Sequence, residues 1–250
     1  MLATAFASIS EWLKIRVCDS TDPEAVAAAL AGLNPAKTLV IVASKSGTTT
    51  ETLSFAAYAV GWISSAFGAG EDPFASMIAI SDPSPSIDGI PGNERMLERF
   101  LNPADVGGRY SALSFVGLVP ASLLGIDLDS LLAAGAVAAA QLREPEPTAN
   151  RAVALGVIIG ALAREGRDKL TLLVDEPIHG FGAWAEQLVA ESTGKQGVGV
   201  IPVDLEPLGA LESYQDDRLF VRIALSGGRA PRAADGTSAE TRLSELASAG

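Results

Sequence analysis

Apolar runs of strand length alternate along the chain with longer stretches of helical periodicity. Ile15–Cys18 reads as a short strand, and "STDPEAVAAALAGL" as a helix with Asp22 as N-cap, Pro23 at the first helical position and Glu24 in the first turn. Leu39–Ala43 is a second strand, a helix is expected from about Thr48 to Phe67, and "SMIAISDP" (Ser76–Pro83) is a third strand. A β-α-β-α-β order favours a parallel sheet covered by helices.

From Leu97 to Arg164 the pattern turns helical, with "SALSFVGLVPASLLG", "DLDSLLAAGAVAAAQL" and "NRAVALGVIIGALARE" separated by breaks such as "REPEPT". Strand-like segments return at Lys169–Asp175, Gly197–Val203 and Arg218–Leu225, with the helix "GAWAEQLVAES" after the first of them. Ser226–Glu240 is a loop by composition, followed by one more helix. The expected division is an α/β domain over 1–96, a helical connector or layer over 97–166, and a second, partial α/β domain over 167–250.

Composition narrows the partners. The 250 residues suffice for a substantial core, and the formal net charge of −12 argues against nucleic acid or an anionic membrane. An anionic substrate therefore needs a locally positive site. Cys18 is the sole cysteine, which rules out an internal disulfide and any multi-cysteine metal site; a small buried side chain is its expected role. The richest apolar stretch, "AVALGVIIGALA", is bounded by Arg151 and Arg164, short of the roughly 18 to 20 residues of a membrane span, and reads as a buried helix. The N-terminal segment, with Glu11, Lys14 and Arg16, lacks the zones of a signal peptide, so a cytoplasmic setting is expected. Trp12, Trp62 and Trp184 read as packing residues.

The segment "SKSGTTTET" (Ser44–Thr52) places two serines, four threonines, a lysine and a glycine where a strand passes into a helix. A helix N-terminus presents unpaired N–H groups and the positive end of the macrodipole, a natural seat for a phosphate or carboxylate. Ser44, Ser46, Thr48 and Thr49 add hydroxyl donors, and Gly47 allows close backbone approach. The alternative is plain capping, with Ser46 or Thr48 as N-cap and Glu51 closing a capping box. The spacing is not that of a nucleotide-binding P-loop.

"SKSGTTTET" resembles the phosphate loop of the sugar isomerase (SIS) superfamily. "DVGGRYSALSFVGL" (Asp105–Leu118) and "EQLVAESTGKQGVGVIPV" (Glu186–Val203) resemble segments of one of its families, glucose-6-phosphate isomerase, in the isomerase half of bacterial fusions with transaldolase. The resemblance implies a flavodoxin-like, three-layer α/β/α SIS domain, a helical connector and the start of a second SIS domain. It implies an aldose–ketose isomerase of phosphosugars that needs neither metal nor cofactor. Glu191 aligns with the catalytic glutamate and Arg109 with the arginine that stabilises the enediolate. Ser44, Ser46 and Thr49 align with phosphate ligands, Lys45 with a source of positive charge or backbone contact, and Gly108 and Gln187 with residues lining the sugar site. His179, the sole histidine, precedes the glutamate motif and is expected to be structural.

The family's first strand with its glycine-serine loop finds no counterpart before Met1, and the segments bearing its ring-opening histidine and a site lysine find none before Gly250. The expectation is a piece truncated at both ends, prone to aggregation and weak in activity, from a protein that works as a homodimer. Two alternatives stand beside the isomerase: an SIS-type sensor that holds a phosphosugar without turning it over, and an SIS enzyme of other chemistry such as an amidotransferase.

Overall fold

The computed structural model describes residues 13–249, which form two compact units, 13–125 and 126–249. The readings placed on Glu11 and Trp12 lie outside these residues.

In the first unit α1 (Pro23–Leu30) starts as the sequence dictates, with the Asp22 carboxylate accepting from the N–H groups of Glu24 and Ala25, both at 2.9 Å. β1 (Val40–Ala43), β2 (Met77–Ser81) and β3 (Glu98–Leu101) form an all-parallel sheet in the order β1-β2-β3. Every residue of β2 is buried. Met77 and Ala79 pack with Ala56 and Ile63 of α2 (Thr50–Ser64), whereas Ile78 and Ile80 pack on the other face with Val119 of α3 (Phe115–Leu123). The two-residue period of the strand thus serves both layers, which is why "MIAI" is uniformly apolar. Ile63, Met77 and Ile80 are fully enclosed, and such burial is worth about 1.5–3 kcal/mol per side chain.

The second unit begins with α4 (Leu128–Leu142) and α5 (Arg151–Arg164). β4 (Lys169–Val174), α6 (Gly180–Thr193), β5 (Ile201–Val203), β6 (Arg218–Ile223) and α7 (Ala239–Ala249) follow, and the sheet is again all parallel, in the order β5-β4-β6. Leu170, Leu172 and Val174 of β4 pack under Phe181, Trp184 and Ala185 of α6, while Leu173 faces Leu208, Ala239 and Leu243. Both units are therefore parallel three-layer α/β structures, as expected. None of the described helices is long and apolar enough to cross a membrane.

Three expectations are corrected. Ile15–Cys18 is irregular rather than a strand: Val17 is exposed, Cys18 is half-buried, and Arg16 ties the segment to the end of α1 through the carbonyls of Ala29 and Ala31. A run with no face to bury has no ladder to join. Residues 98–101, read within a helical stretch, form β3; pairing with the buried β2 overrides a short, charged sequence whose only inward side chain is Phe100. α5, read as buried, has no buried residue among those described, and Val157 faces outward; Ile159 is its contact with the core of β4.

Candidate active site

Because β1, β2 and β3 are parallel, their carboxyl ends share one edge of the sheet, where α/β proteins bind ligands. The residue that follows each strand is polar and buried: Ser44 after β1, Asp82 after β2, Asn102 after β3. A buried polar residue is the informative kind, and three in a row along one edge make it the candidate site. Ser44 stands out in the sequence, whereas Asp82 and Asn102 do not. The signal available for both is a polar residue closing an apolar run immediately before a proline, as in "AISDP" and "RFLNP".

The loop after β1 is fixed at several points. Ser44 N–H donates to Ile80 O at 3.0 Å, and the Lys45 carbonyl accepts from Asp82 N–H at 3.2 Å and from Ser81 Oγ at 3.3 Å. Gly47 turns through φ +65°, and a Cβ there would overlap the carbonyl of Ser86. Four hydroxyls form two pairs, Ser44 with Thr49 at 3.3 Å and Ser46 with Thr48 at 2.8 Å. The N-cap of α2 is Thr49, not Ser46 or Thr48, and its side chain makes no capping bond. Ser46 Oγ instead accepts from Thr48 N–H at 3.2 Å, closing a turn just before the helix. The hydroxyl cluster is therefore not spent on a capping box.

Lys45 bonds within the framework: its ammonium pairs with the Asp82 carboxylate and donates to Ala104 O at 3.1 Å. Ala104 leads into the turn bearing Gly107, Gly108 and Arg109. There Ser111 Oγ donates to Gly108 O at 2.5 Å, and the Arg109 guanidinium stands 5.2 Å from the centre of the Tyr110 ring. A Cβ on Gly108 would meet nothing within 4 Å, so its outer side is open to a ligand. Asn102 Oδ1 accepts from Phe115 N–H at 3.1 Å and so caps α3, fixing the far end of the same turn. Lys45, Asp82, Asn102, Gly108, Ser111 and Ser114 line a hollow of about 160 Å³, small beside the roughly 300–1,000 Å³ of drug-sized sites but roomy for one small polar group.

Gln187 and Glu191 belong to the second unit. They lie one turn apart on one exposed stripe of α6, with Glu191 in the last turn. Lys195 Nζ returns to the Glu191 carbonyl at 2.9 Å, and Thr193 Oγ1 accepts from Val200 N–H at 2.9 Å. "KQGV" (195–198) is a tight turn with both central residues left-handed, Gln196 at φ 53° and Gly197 at φ 80°, closed by Lys195 and Val198 bonding each other's backbone. An open groove of about 600 Å³ runs along Glu186 and Ala190, roughly 100° around the helix from the Gln187–Glu191 stripe, and those two do not line it. His179 sits at the start of α6 with its ring 2.7 Å from Glu176 O, a junction role.

The family model of phosphoglucose isomerase matches residues 1–201. The chain belongs to the phosphoglucose isomerase family. It is 37% identical over 206 residues to a probable glucose-6-phosphate isomerase of Haloarcula marismortui, covering 82% of this chain and 45% of that one. It is 32% identical to a glucose-6-phosphate isomerase of Thermus thermophilus, covering 83% and 50%. A crystal structure of a hypothetical protein from Thermus thermophilus superposes with a TM-score of 0.67 at 32% identity, over 74% of this chain and 45% of that one. A glucose-6-phosphate isomerase structure from Chlamydia trachomatis shares the fold, with a TM-score of 0.61 at 24% identity over 73% and 37%. The chain thus spans about half the length of the curated relatives it matches.

Proposed function

We propose that this chain carries phosphosugar-handling and catalytic residues of a glucose-6-phosphate isomerase, which interconverts glucose 6-phosphate and fructose 6-phosphate through an enediolate. The observation that carries the reading is the loop at 44–49: four hydroxyls gathered at the start of α2 and left uncommitted to capping it. Such a loop suits a phosphoryl group, whose oxygens accept from hydroxyls and from the first N–H groups of a helix.

In this reading Ser44, Ser46 and Thr49 bind the phosphate, with Lys45 contributing backbone contact. Glu191 removes the proton from one sugar carbon and returns it to its neighbour, as a carboxylate can. Arg109, charged at any physiological pH, stabilises the negative oxygen of the enediolate, while Gly108 and Gln187 border the sugar. We further infer a cytoplasmic setting and a homodimeric assembly.

Proton exchange tests the chemistry. Glucose 6-phosphate incubated with the chain in deuterated water should acquire deuterium at C2, followed by proton NMR, and Glu191→Gln should reduce the rate by at least about 10²-fold. Exchange in the unaltered chain no faster than in Glu191→Gln contradicts the isomerase reading.

A further inference from the structure

Lys45 stands between two serines of the phosphate loop, and its side chain reaches back to the framework of its own unit. Its ammonium pairs with Asp82 and donates to Ala104 O at 3.1 Å, while its backbone carbonyl is held by Asp82 N–H and Ser81 Oγ. Asp82 is 7% exposed, and its other carboxylate oxygen, Oδ1, is buried with no hydrogen-bond partner among the described residues. Lys45 thereby connects three pieces of chain at the carboxyl edge of the sheet: its own loop, the end of β2, and the approach to the Arg109 turn.

We propose that Asp82 is a positioning residue that claims Lys45 for this bracket, so that Lys45 fixes the spacing between the phosphate loop and the Arg109 turn and does not serve as a phosphate ligand. The inference rests on the phosphate-loop reading given above and refines it. Recognition of the phosphoryl group falls to hydroxyls and backbone N–H groups, and the charge of Lys45 is cancelled by Asp82 rather than offered to the ligand. The pair is half-buried, with Asp82 enclosed and the Lys45 side chain 39% exposed, and a partly enclosed pair follows the pattern of a buried one in softened form. Removing one member leaves an uncompensated charge, and removing both with shape preserved is nearly neutral.

The test uses the unaltered chain, Asp82→Asn, Lys45→Met and the double variant, each titrated with inorganic phosphate by calorimetry. Asp82→Asn should bind phosphate roughly threefold to tenfold more tightly, because a negative charge near the seat is gone and the ammonium is released. Lys45→Met should bind more weakly by a similar factor. The double variant should return to within about twofold of the unaltered chain. A double variant as weak as Lys45→Met identifies Lys45 as a phosphate ligand and overturns the proposal, and weakening in all three variants assigns Asp82 a merely structural role and overturns it as well.

Urea unfolding of the same four chains separates this inference from the reading beneath it. The bracket requires that the double variant lose no more stability than the worse single variant, and additive losses overturn it. If the unaltered chain binds no phosphate while that coupling is present, the phosphate-loop reading fails and the bracket stands.

Discussion

Gly47 and the carbonyl of Ser86 are in such close approach that a Cβ on Gly47 would occupy the space of that oxygen. Gly47 also lies at φ +65°, where an L side chain is strained. The two penalties act at one residue in the middle of the hydroxyl cluster. Gly47→Ala should therefore destabilise the chain by about 2–4 kcal/mol in urea unfolding and displace the loop enough to abolish phosphate binding. A loss under about 0.5 kcal/mol would show that the turn at 47 yields easily.

Thr49 separates the binding reading from the capping one. A threonine that caps a helix costs about 0.5–2 kcal/mol when changed to alanine. Thr49 makes no capping bond and accepts one long 3.3 Å bond from Ser44 Oγ, so Thr49→Ala should cost less than about 1 kcal/mol, the share of that weak bond. A loss of about 1 kcal/mol or more in thermal or urea unfolding assigns the hydroxyl to the helix after all.

Asn102 joins the end of β3 to the start of α3. Its Oδ1 satisfies Phe115 N–H, and its own N–H continues the ladder to Ser81 O at 2.8 Å. Asn102→Ala leaves the Phe115 N–H, in a part-buried bond, without this acceptor, and a cost of about 1 kcal/mol is expected. The Arg109 turn lies between Asn102 and Phe115, so hydrogen exchange over 104–114 should quicken in this variant. Unchanged exchange there would separate the cap from the turn.

The pair Lys169 and Asp217 sets a pH window. Hydrogen bonding to Lys169 holds the Asp217 carboxyl below its usual range, and hydrogen bonding to Asp217 and then Asp168 raises the Lys169 ammonium. Asp217 thus contributes stability that is present above the unfolded carboxylate value of about 3.9 and lost as pH falls through its lowered value. Lys169 contributes stability present below its unfolded value of about 10.4 and lost as pH rises through its raised one. Asp217→Asn should flatten both limbs of a plot of melting temperature against pH, and limbs that persist unchanged locate the dependence elsewhere.

Much of the scaffold was legible because its signals are local. The Asp22–Pro23–Glu24 start of α1 and the apolar runs of β1, β2 and β4 need nothing beyond their own residues to be read, and the structure has them where the pattern does. β3 was not legible, because "ERFL" becomes a strand only through the neighbouring β2. Ile15–Cys18 failed in the opposite way: its composition suits a strand, but its described surroundings supply Arg16 with helix carbonyls instead of a ladder.

The candidate site divides likewise. Ser44, Ser46 and Thr49 announce themselves as a cluster in one turn, whereas Asp82 and Asn102 are single polar residues far along the chain from Lys45, made significant by the parallel sheet that brings strand ends together. The pairing of Lys45 with Asp82 depends on that long-range placement and is not visible in the lysine's own segment.

The most direct measurement is a calorimetric titration of fructose 6-phosphate into the unaltered chain and into a Ser46→Ala, Thr49→Ala variant that unfolds at a similar urea concentration. Loss of two phosphate-binding hydroxyls should weaken binding at least about tenfold, at about 1 kcal/mol or more for each hydrogen bond to a charged group. Equal affinity in the two chains would contradict the phosphate seat, and with it the account of this site.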